Sequence, residues 1–366
     1  MRPNRRLLIL EFSNTRRVLP YKPLSTKTYA YRRLPDVPGG LQPPSTMPVL
    51  SYCLAFPTPH RGPRAMVHRL TIKVPATSAN MGPGFDCLGV ALDIWNTLRV
   101  EVGGSGFEIT GHGAGEIPTD SSNLLYQSYL KVFEEIGRPA PQARFICDNK
   151  IPLGRGMGSS SAASIAGIIA ANEIAGRPFD QQALLDFTAR IEGHPDNSTA
   201  AILGGCRIVV QEAGHLVTAR VPVPEDLGAV LFIPDVPMPT KQARAVLPPS
   251  VSRQDAVYNI GRVALLVNAL ATGDLTHLAV ATQDALHQPA RQAIFYPMKV
   301  ILRAALEAGA LGVFLSGAGS SILALTKSRE MTIGYEMAEA ASKAGVGGDV
   351  KITKPTDKGA HVAQAS

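Results

Sequence analysis

Residues 150–171 read KIPLGRGMGSSSAASIAGIIAA. Gly154, Gly156 and Gly158 strip the side chains from a short loop, and glycine lets a ligand approach the main chain closely. Ser159, Ser160 and Ser161 follow, a residue type that caps helices by accepting from their first free N–H groups. Ile165, Ile168, Ile169 and Ile174 then recur at a spacing that keeps one helical face apolar. Gly176, with Pro178 beyond it, predicts the helix end. A glycine-rich loop opening a helix suits an anion, because unpaired N–H groups and the positive end of the dipole meet there. The same residues also suit a tight loop capping an ordinary core helix. No Lys-Ser or Lys-Thr follows a glycine, which excludes a Walker P-loop. A bound phosphate would therefore rest on backbone N–H groups, the dipole and hydroxyls.

Three more stretches concentrate polar chemistry. PATSANMGPGFDCLG (75–89) presents Asn80 and Asp86 among Gly82, Pro83, Gly84 and Gly89, as a polar loop or as a turn whose Asn and Asp bond their own backbone. EGHPDN (192–197) gathers Glu192, His194, Asp196 and Asn197 at a helix exit, a composition that a solvated helix end also shows. Upstream, Asp186 can pair with Arg190 at i,i+4. SGAGSSI (316–322) is a loop without bulk between apolar runs, suited to a tight hairpin or to the close approach of a ligand or another loop.

The elements that must position these residues follow from periodicity. LTIKV, TLRVEV, RFICDNKI, CRIVVQ and GAVLFIP predict strands, the last apolar enough to be buried on both faces. SSNLLYQSYLKVFEEIG predicts a helix ended by Gly137. DQQALLDFTARIEG predicts another, with an Asp cap and Leu184, Phe187 and Ile191 on one face. Beyond Val221 a helix is expected from Arg253 to Ala271, a second from Asp274 to about His287, and a third over PMKVILRAALEAGA. Two short strands around 316–321, one more helix and GDVKIT complete an α+β plan in two parts, 66–220 and 221–366, without internal repeat.

The net charge of +7 suggests a nucleic-acid binder until it is divided by region. Residues 1–65 hold eleven Lys/Arg against two Asp/Glu, and 11 of the 29 prolines, so the remaining chain sums to −2. The basic, proline-rich stretch reads as a disordered leader, as a targeting peptide with a poor amphipathic pattern, or as the product of a start placed upstream of Met66. The last is favoured, because patterned sequence begins at once with VHRLTIKVPAT. No run reaches the ~20 apolar residues of a membrane span. Cys53, Cys87, Cys147 and Cys206 form no CxxC pair, which fits a reducing cytoplasm.

The order of SAN-x-GPGFD, P-x-G-x-G-M-G-S-S-S-A-A, EGHPDN and SGAGSS resembles the GHMP kinases, over essentially all of 66–366 and none of 1–65. PATSANMGPGFDCLGVAL, GHPDNSTAAILGG, MPTKQARAVLP (238–248) and HQPARQAIFYP (287–297) are similar to motifs of the homoserine kinases within that superfamily. The resemblance implies a ribosomal-protein-S5-domain-2-like amino-terminal part and a ferredoxin-like carboxy-terminal part. It also implies a homodimer in the cytoplasm and transfer of the ATP γ-phosphoryl group to L-homoserine, for threonine synthesis.

By the same resemblance Pro152, Leu153, Gly154, Arg155, Gly156, Met157, Gly158, Ser159, Ser160, Ser161 and Ala162 cradle ATP, with Asn123 near the nucleoside. Ser160 matches the serine that reaches Mg²⁺. Asp186 stands where relatives carry a metal-binding glutamate, one methylene longer, so its contact is expected through a water; Glu192 is the fallback, in a place that resembles a structural position. Asp86 matches the partner of the substrate ammonium group, and Arg244 and Arg291 match its carboxylate clamps. Asn80, His194 and Asn197 line the hydroxyl and phosphate region. Asn197 stands where other members carry a basic Asp, and an amide takes no proton, so alignment and charge stabilisation are expected to replace a base. Asp196 keeps a base open. The rival readings are a mevalonate or sugar kinase, whose substrates lack an ammonium group, and a non-catalytic nucleotide-binding regulator.

Overall fold

The structure, a computed structural model, describes residues 67–193 and 195–366. The leader 1–65, Met66 and His194 lie outside the described residues. The first part of the chain runs β1 (Arg69–Ala79), β2 (Leu88–Val102), β3 (Phe107–Gly111), α1 (Leu124–Glu135), β4 (Ala143–Asn149), α2 (Ser159–Ile174), α3 (Gln181–Glu192), α4 (Pro195–Leu203), β5 (Cys206–Glu212) and β6 (His215–Val221). The second runs β7 (Gly228–Pro234), α5 (Thr240–Ala245), α6 (Arg253–Thr272), α7 (Leu278–Ala281), α8 (Gln288–Arg291), α9 (Met298–Glu307), β8 (Gly312–Leu315), β9 (Ile322–Thr326), α10 (Glu330–Lys343), β10 (Gly348–Thr353) and β11 (His361–Ala365).

Two sheets organise these elements. One has the order β11-β1-β2-β4-β3, with β5 joining β2 and β6 joining β5. Its pairs are antiparallel except β3 with β4. The chain's last strand, β11, thus returns to the sheet of the first part. The second sheet is antiparallel throughout, in the order β10-β7-β9-β8. Its chain order is a ferredoxin-like βαββαβ, with β7 as the first strand and β10 as the fourth.

The apolar run of β7 is buried on both faces. Val230 and Phe232 pack with α9 and α10 through Ile301 and Met337, while Ala229 and Leu231 face the larger core with Leu266 and Leu323. Alternating side chains of one strand therefore serve two cores. Helix α2 is likewise buried on more than one face, with Ala162, Ala166, Ala170 and Ala171 added to Ile165 and Ile168. The expected helix from Asp274 to His287 does not form. Asp274 is spent on a local turn with Thr276, and only the short α7 and α8 appear. Between them the Asp284 carboxylate accepts from the N–H groups of Leu286, His287 and Gln288, holding the chain in a turn instead.

Helices α1 and α2 touch where Gly167 meets α1, and a Cβ placed there would lie 2.2 Å from the Leu125 carbonyl oxygen. Gly167→Ala gains roughly 0.5–1 kcal/mol of helix propensity but forces backbone apart, an overpacking cost of about 1–3 kcal/mol. Urea denaturation should therefore show net destabilisation. A more stable variant would mean that α1 shifts freely.

Candidate active site

The glycine loop is fastened from three sides before it reaches α2. Asn96 Oδ1 on β2 accepts from the N–H groups of Lys150 (2.8 Å) and Ile151 (3.0 Å). Arg155 donates to the carbonyls of Leu153 (2.9 Å), Pro234 (2.6 Å) and Asp235, so its guanidinium anchors the loop to the end of β7. Gly156, at φ +70°, lies so close to the 316–321 loop that a Cβ would stand 2.0 Å from the Ser316 carbonyl oxygen. The close approach that this glycine permits is to another loop. Met157 is buried, and its carbonyl accepts from Thr77 N–H (3.1 Å).

The expectation that a serine caps α2 is corrected by the backbone. The N-cap is Gly158, in the left-handed region, with no side-chain cap. Ser159, Ser160 and Ser161 form the first turn, Ser160 exposed at the helix mouth. A side-chain cap would occupy the position that an anion takes at a helix N-terminus, and glycine leaves those N–H groups to a ligand. A cavity of about 490 Å³ flanks the loop, lined by Pro152, Leu153 and Met157 and, opposite, by Asp235, Asp349 and Lys351. Gly154 is exposed and Ala162 buried. Asn123 is instead the N-cap of α1: Oδ1 accepts from Leu125 and Tyr126 N–H and Nδ2 donates to Pro118 O, so the side chain is spent inside the fold.

Asp186 does not join the loop in any described contact. It sits on the face of α3 toward β6, where its carboxylate accepts from the Gln182 amide Nε2 (3.1 Å) and Leu216 N–H (2.9 Å) and pairs with His215 Nδ1 (3.0 Å). The carboxylate of α3 that does reach α2 is Glu192, which accepts from Ser161 Oγ. Glu192 Oε1 is buried without a hydrogen-bond partner. Burial pushes this carboxyl up to about 7, with the hydroxyls of Ser161 and Ser164 opposing the rise and Asp196 adding to it.

Next to the loop, the β1–β2 connection is held by Asn80, 3% exposed and left-handed at φ 67°. Its Oδ1 accepts from Asp86 N–H (3.0 Å) and its Nδ2 donates to Gly317 O (2.8 Å), so the amide expected to line the hydroxyl region braces two loops. Asn197 Oδ1 accepts from Thr77 Oγ1 (2.7 Å), and its N–H donates to Asp196 Oδ1 (2.8 Å). Asp86 and Arg244 form a two-point ion pair of 2.6 and 3.1 Å, each side chain about one third exposed. Arg291 is 1% exposed. The Arg244 and Arg291 guanidinium carbons lie 5.8 and 5.7 Å from the Phe85 ring centroid, so the two arginines and Asp86 do converge. Burial first, then Arg244, lowers Arg291 to about 10, leaving it charged at neutral pH.

Residues 123–205 match the GHMP kinases N terminal domain and residues 266–345 the GHMP kinases C terminal domain. The homoserine kinase of Microchaete diplosiphon is 40% identical over 300 residues, covering 81% of this chain and 98% of that protein. That of Moorella thermoacetica is 41% identical over 292 residues, covering 80% and 99%. This chain belongs to the homoserine kinase family of GHMP kinases. The crystal structure of homoserine kinase from Cytophaga hutchinsonii superposes with a TM-score of 0.73 at 31% identity, over 82% of this chain and 99% of that one. Mevalonate kinase of L. major shares the fold alone, at a TM-score of 0.57 and 14% identity.

Thr77, Phe85 and His287 touch the candidate residues without having stood out in the sequence. Each lies inside a motif quoted above, and its type is one that also fills cores. Asp186 shows the reverse case. Burial works to raise its carboxyl, but the bonds from His215, Leu216 and Gln182 hold it below 3.8. Its contribution to stability is full above that value and is lost as pH falls through the lower folded value. Asp186→Asn should therefore cost about 1–2 kcal/mol at neutral pH, fading as the carboxylate protonates in acid, with the Mg²⁺ dependence of turnover unchanged. A changed Mg²⁺ requirement would return Asp186 to the metal site.

Proposed function

We propose that this chain transfers the γ-phosphoryl group of ATP to the side-chain hydroxyl of L-homoserine, breaking the bond to the β-phosphate and giving O-phospho-L-homoserine, ADP and a proton that leaves to the phosphate oxygens or solvent. The observation that carries the reading is the meeting of Asp86, Arg244 and Arg291 around Phe85, beside the glycine loop. Homoserine carries an ammonium and a carboxylate on one carbon, and the cluster offers a carboxylate to the first and guanidinium forks to the second. Mevalonate or a sugar has no ammonium group to meet Asp86. A buried charge left unpaired is costly, so substrates lacking either charged end are rejected.

The triphosphate lies over Gly154–Ser161 with its charge on the first turn of α2, and the flanking cavity receives the nucleoside. Mg²⁺ fits the donors present: a hard cation takes one or two carboxylates plus phosphate oxygens, and Glu192 Oε1 is a buried oxygen without a partner beside that turn. Glu192 and Ser160 would hold it, and it would neutralise the charge developing on the phosphates.

The residues then divide the work. Asp86, Arg244 and Arg291 bind the amino-acid end and aim the hydroxyl at the γ-phosphorus. The loop N–H groups stabilise the departing charge. Asn197, with Oδ1 engaged by Thr77, orients rather than accepts a proton. Asp196 Oδ1 is engaged by Asn197, which supports a mechanism without a side-chain base. A homodimer in the cytoplasm is part of this proposal. No described helix is long and apolar enough to cross a membrane.

An ATP-dependent turnover assay offering L-homoserine, L-serine, L-threonine and mevalonate tests the reading. Homoserine should be preferred, and Arg291→Ala should cost about 10²-fold in kcat/KM, the worth of a charged hydrogen-bonded contact. Preference for a substrate without an amino group would overturn it. Glu192→Gln should raise the Mg²⁺ concentration for half-maximal rate by about tenfold or more, whereas an unchanged requirement would remove Glu192 from the metal site.

A further inference from the structure

Arg291 is among the largest fully buried side chains described, and a buried guanidinium is costly unless its N–H groups are met. Nε donates to Ala243 O (3.2 Å), and Nη1 donates to Gly317 O and to His287 Nδ1, both at 2.9 Å. His287, four residues earlier, has no solvent exposure. Its Nε2 donates to Gly82 O at 2.8 Å. These partners define the tautomer: the hydrogen is on Nε2 and the lone pair of Nδ1 faces the guanidinium.

The imidazole thus stands between two halves of the substrate site. On one side is the loop that carries Asp86, met through Gly82 O and through the Phe85 ring, stacked at 5.3 Å. On the other side is Arg291. Behind it lies the buried carboxylate of Asp284, which accepts from His287 N–H (2.9 Å) and Asn259 Nδ2 (2.7 Å) and stands 3.6 Å from Nε2. Burial keeps the ring well below the ordinary imidazole range, Asp284 opposing and Arg291 reinforcing that direction.

An α-amino acid has its two charges on one carbon, so their separation is fixed. A site that reads both must hold its carboxylate and its guanidinium at a matching separation. We infer that His287 is the positioning residue that sets this separation, one ring nitrogen holding the Asp86 loop and the other aiming Arg291 at the substrate carboxylate. It touches no reacting atom. The inference rests on the reading that Arg291 meets that carboxylate.

Steady-state kinetics of the full chain on L-homoserine and on 3-amino-1-propanol, which keeps the ammonium and hydroxyl but lacks the carboxylate, test it. His287→Leu should raise KM for homoserine by about tenfold or more with little change in KM for ATP, so that the discrimination between the two alcohols collapses. His287→Gln, with one acceptor and one donor, should recover most of it. If the leucine variant does not fold, His287→Asn keeps an acceptor for Arg291 but cannot span to Gly82, and it should still lose homoserine selectively. Equal losses on both alcohols, or unchanged discrimination in His287→Leu while Arg291→Ala abolishes it, would overturn the role of His287. Discrimination that survives Arg291→Ala would instead show that the carboxylate is read elsewhere, and both the reading and the inference would fall.

Discussion

The site depends on two side-chain-poor loops pressed backbone to backbone. Gly156 lies against Ser316 and Gly319, and Ser316 Oγ closes the contact by donating to Gly156 O (2.7 Å). The same short stretch reaches β1, since Gly317 N–H donates to Ala79 O (3.0 Å) and the Ser316 and Ser78 hydroxyls meet at 2.8 Å. Gly317 O then accepts from both Asn80 and Arg291. One loop of the second sheet therefore sets the glycine loop, the turn carrying Asp86, and Arg291 relative to each other. A side chain at Gly156 would move all three.

That geometry creates an electrostatic problem, because it draws two guanidinium groups to one phenyl ring. Dispersion with Phe85 and the cation–π attraction are worth about 0.5–2 kcal/mol per contact, too little by themselves to hold like charges together in a half-buried place. The balance comes from carboxylates. Asp86 takes Arg244 at two points, and Asp284 lies behind His287 and Arg291. A zwitterionic substrate suits such a site because it adds one charge of each sign and leaves the sum unchanged.

What was legible in the sequence is what local chemistry dictates. Asp180 caps α3 and Gly273 ends α6 as their types predict, and the glycine loop meets α2 where it should. The convergence of the four motifs could be expected from the family resemblance, but not from spacing, because β1 and β9 are far apart in the chain. The missing helix after Asp274 shows the limit. Its apolar residues are helical in period, yet the Asp284 side chain competes for the backbone N–H groups that a helix would need. His287 was hidden for a related reason: an arginine in an apolar segment announces itself, while the histidine one turn away reads as an ordinary buried ring.

Asp186 and Glu192 show the same limit at the level of a helix face. Six residues at about 100° each leave them about 120° apart around α3, so choosing between them means choosing a face. Counting back from EGHPDN gives no face. Packing does, because Asp186 is committed to the β6 side while Glu192 turns toward α2. Their electrostatics then diverge. Asp186 has three donors and is held ionised, whereas Glu192, in a buried place with only the hydroxyls of Ser161 and Ser164 to favour its charge, keeps its proton to about 7. An ionised carboxylate there needs a cation beside it. If Glu192 holds the proposed cation, binding would release that proton, and occupancy and ionisation would then be linked.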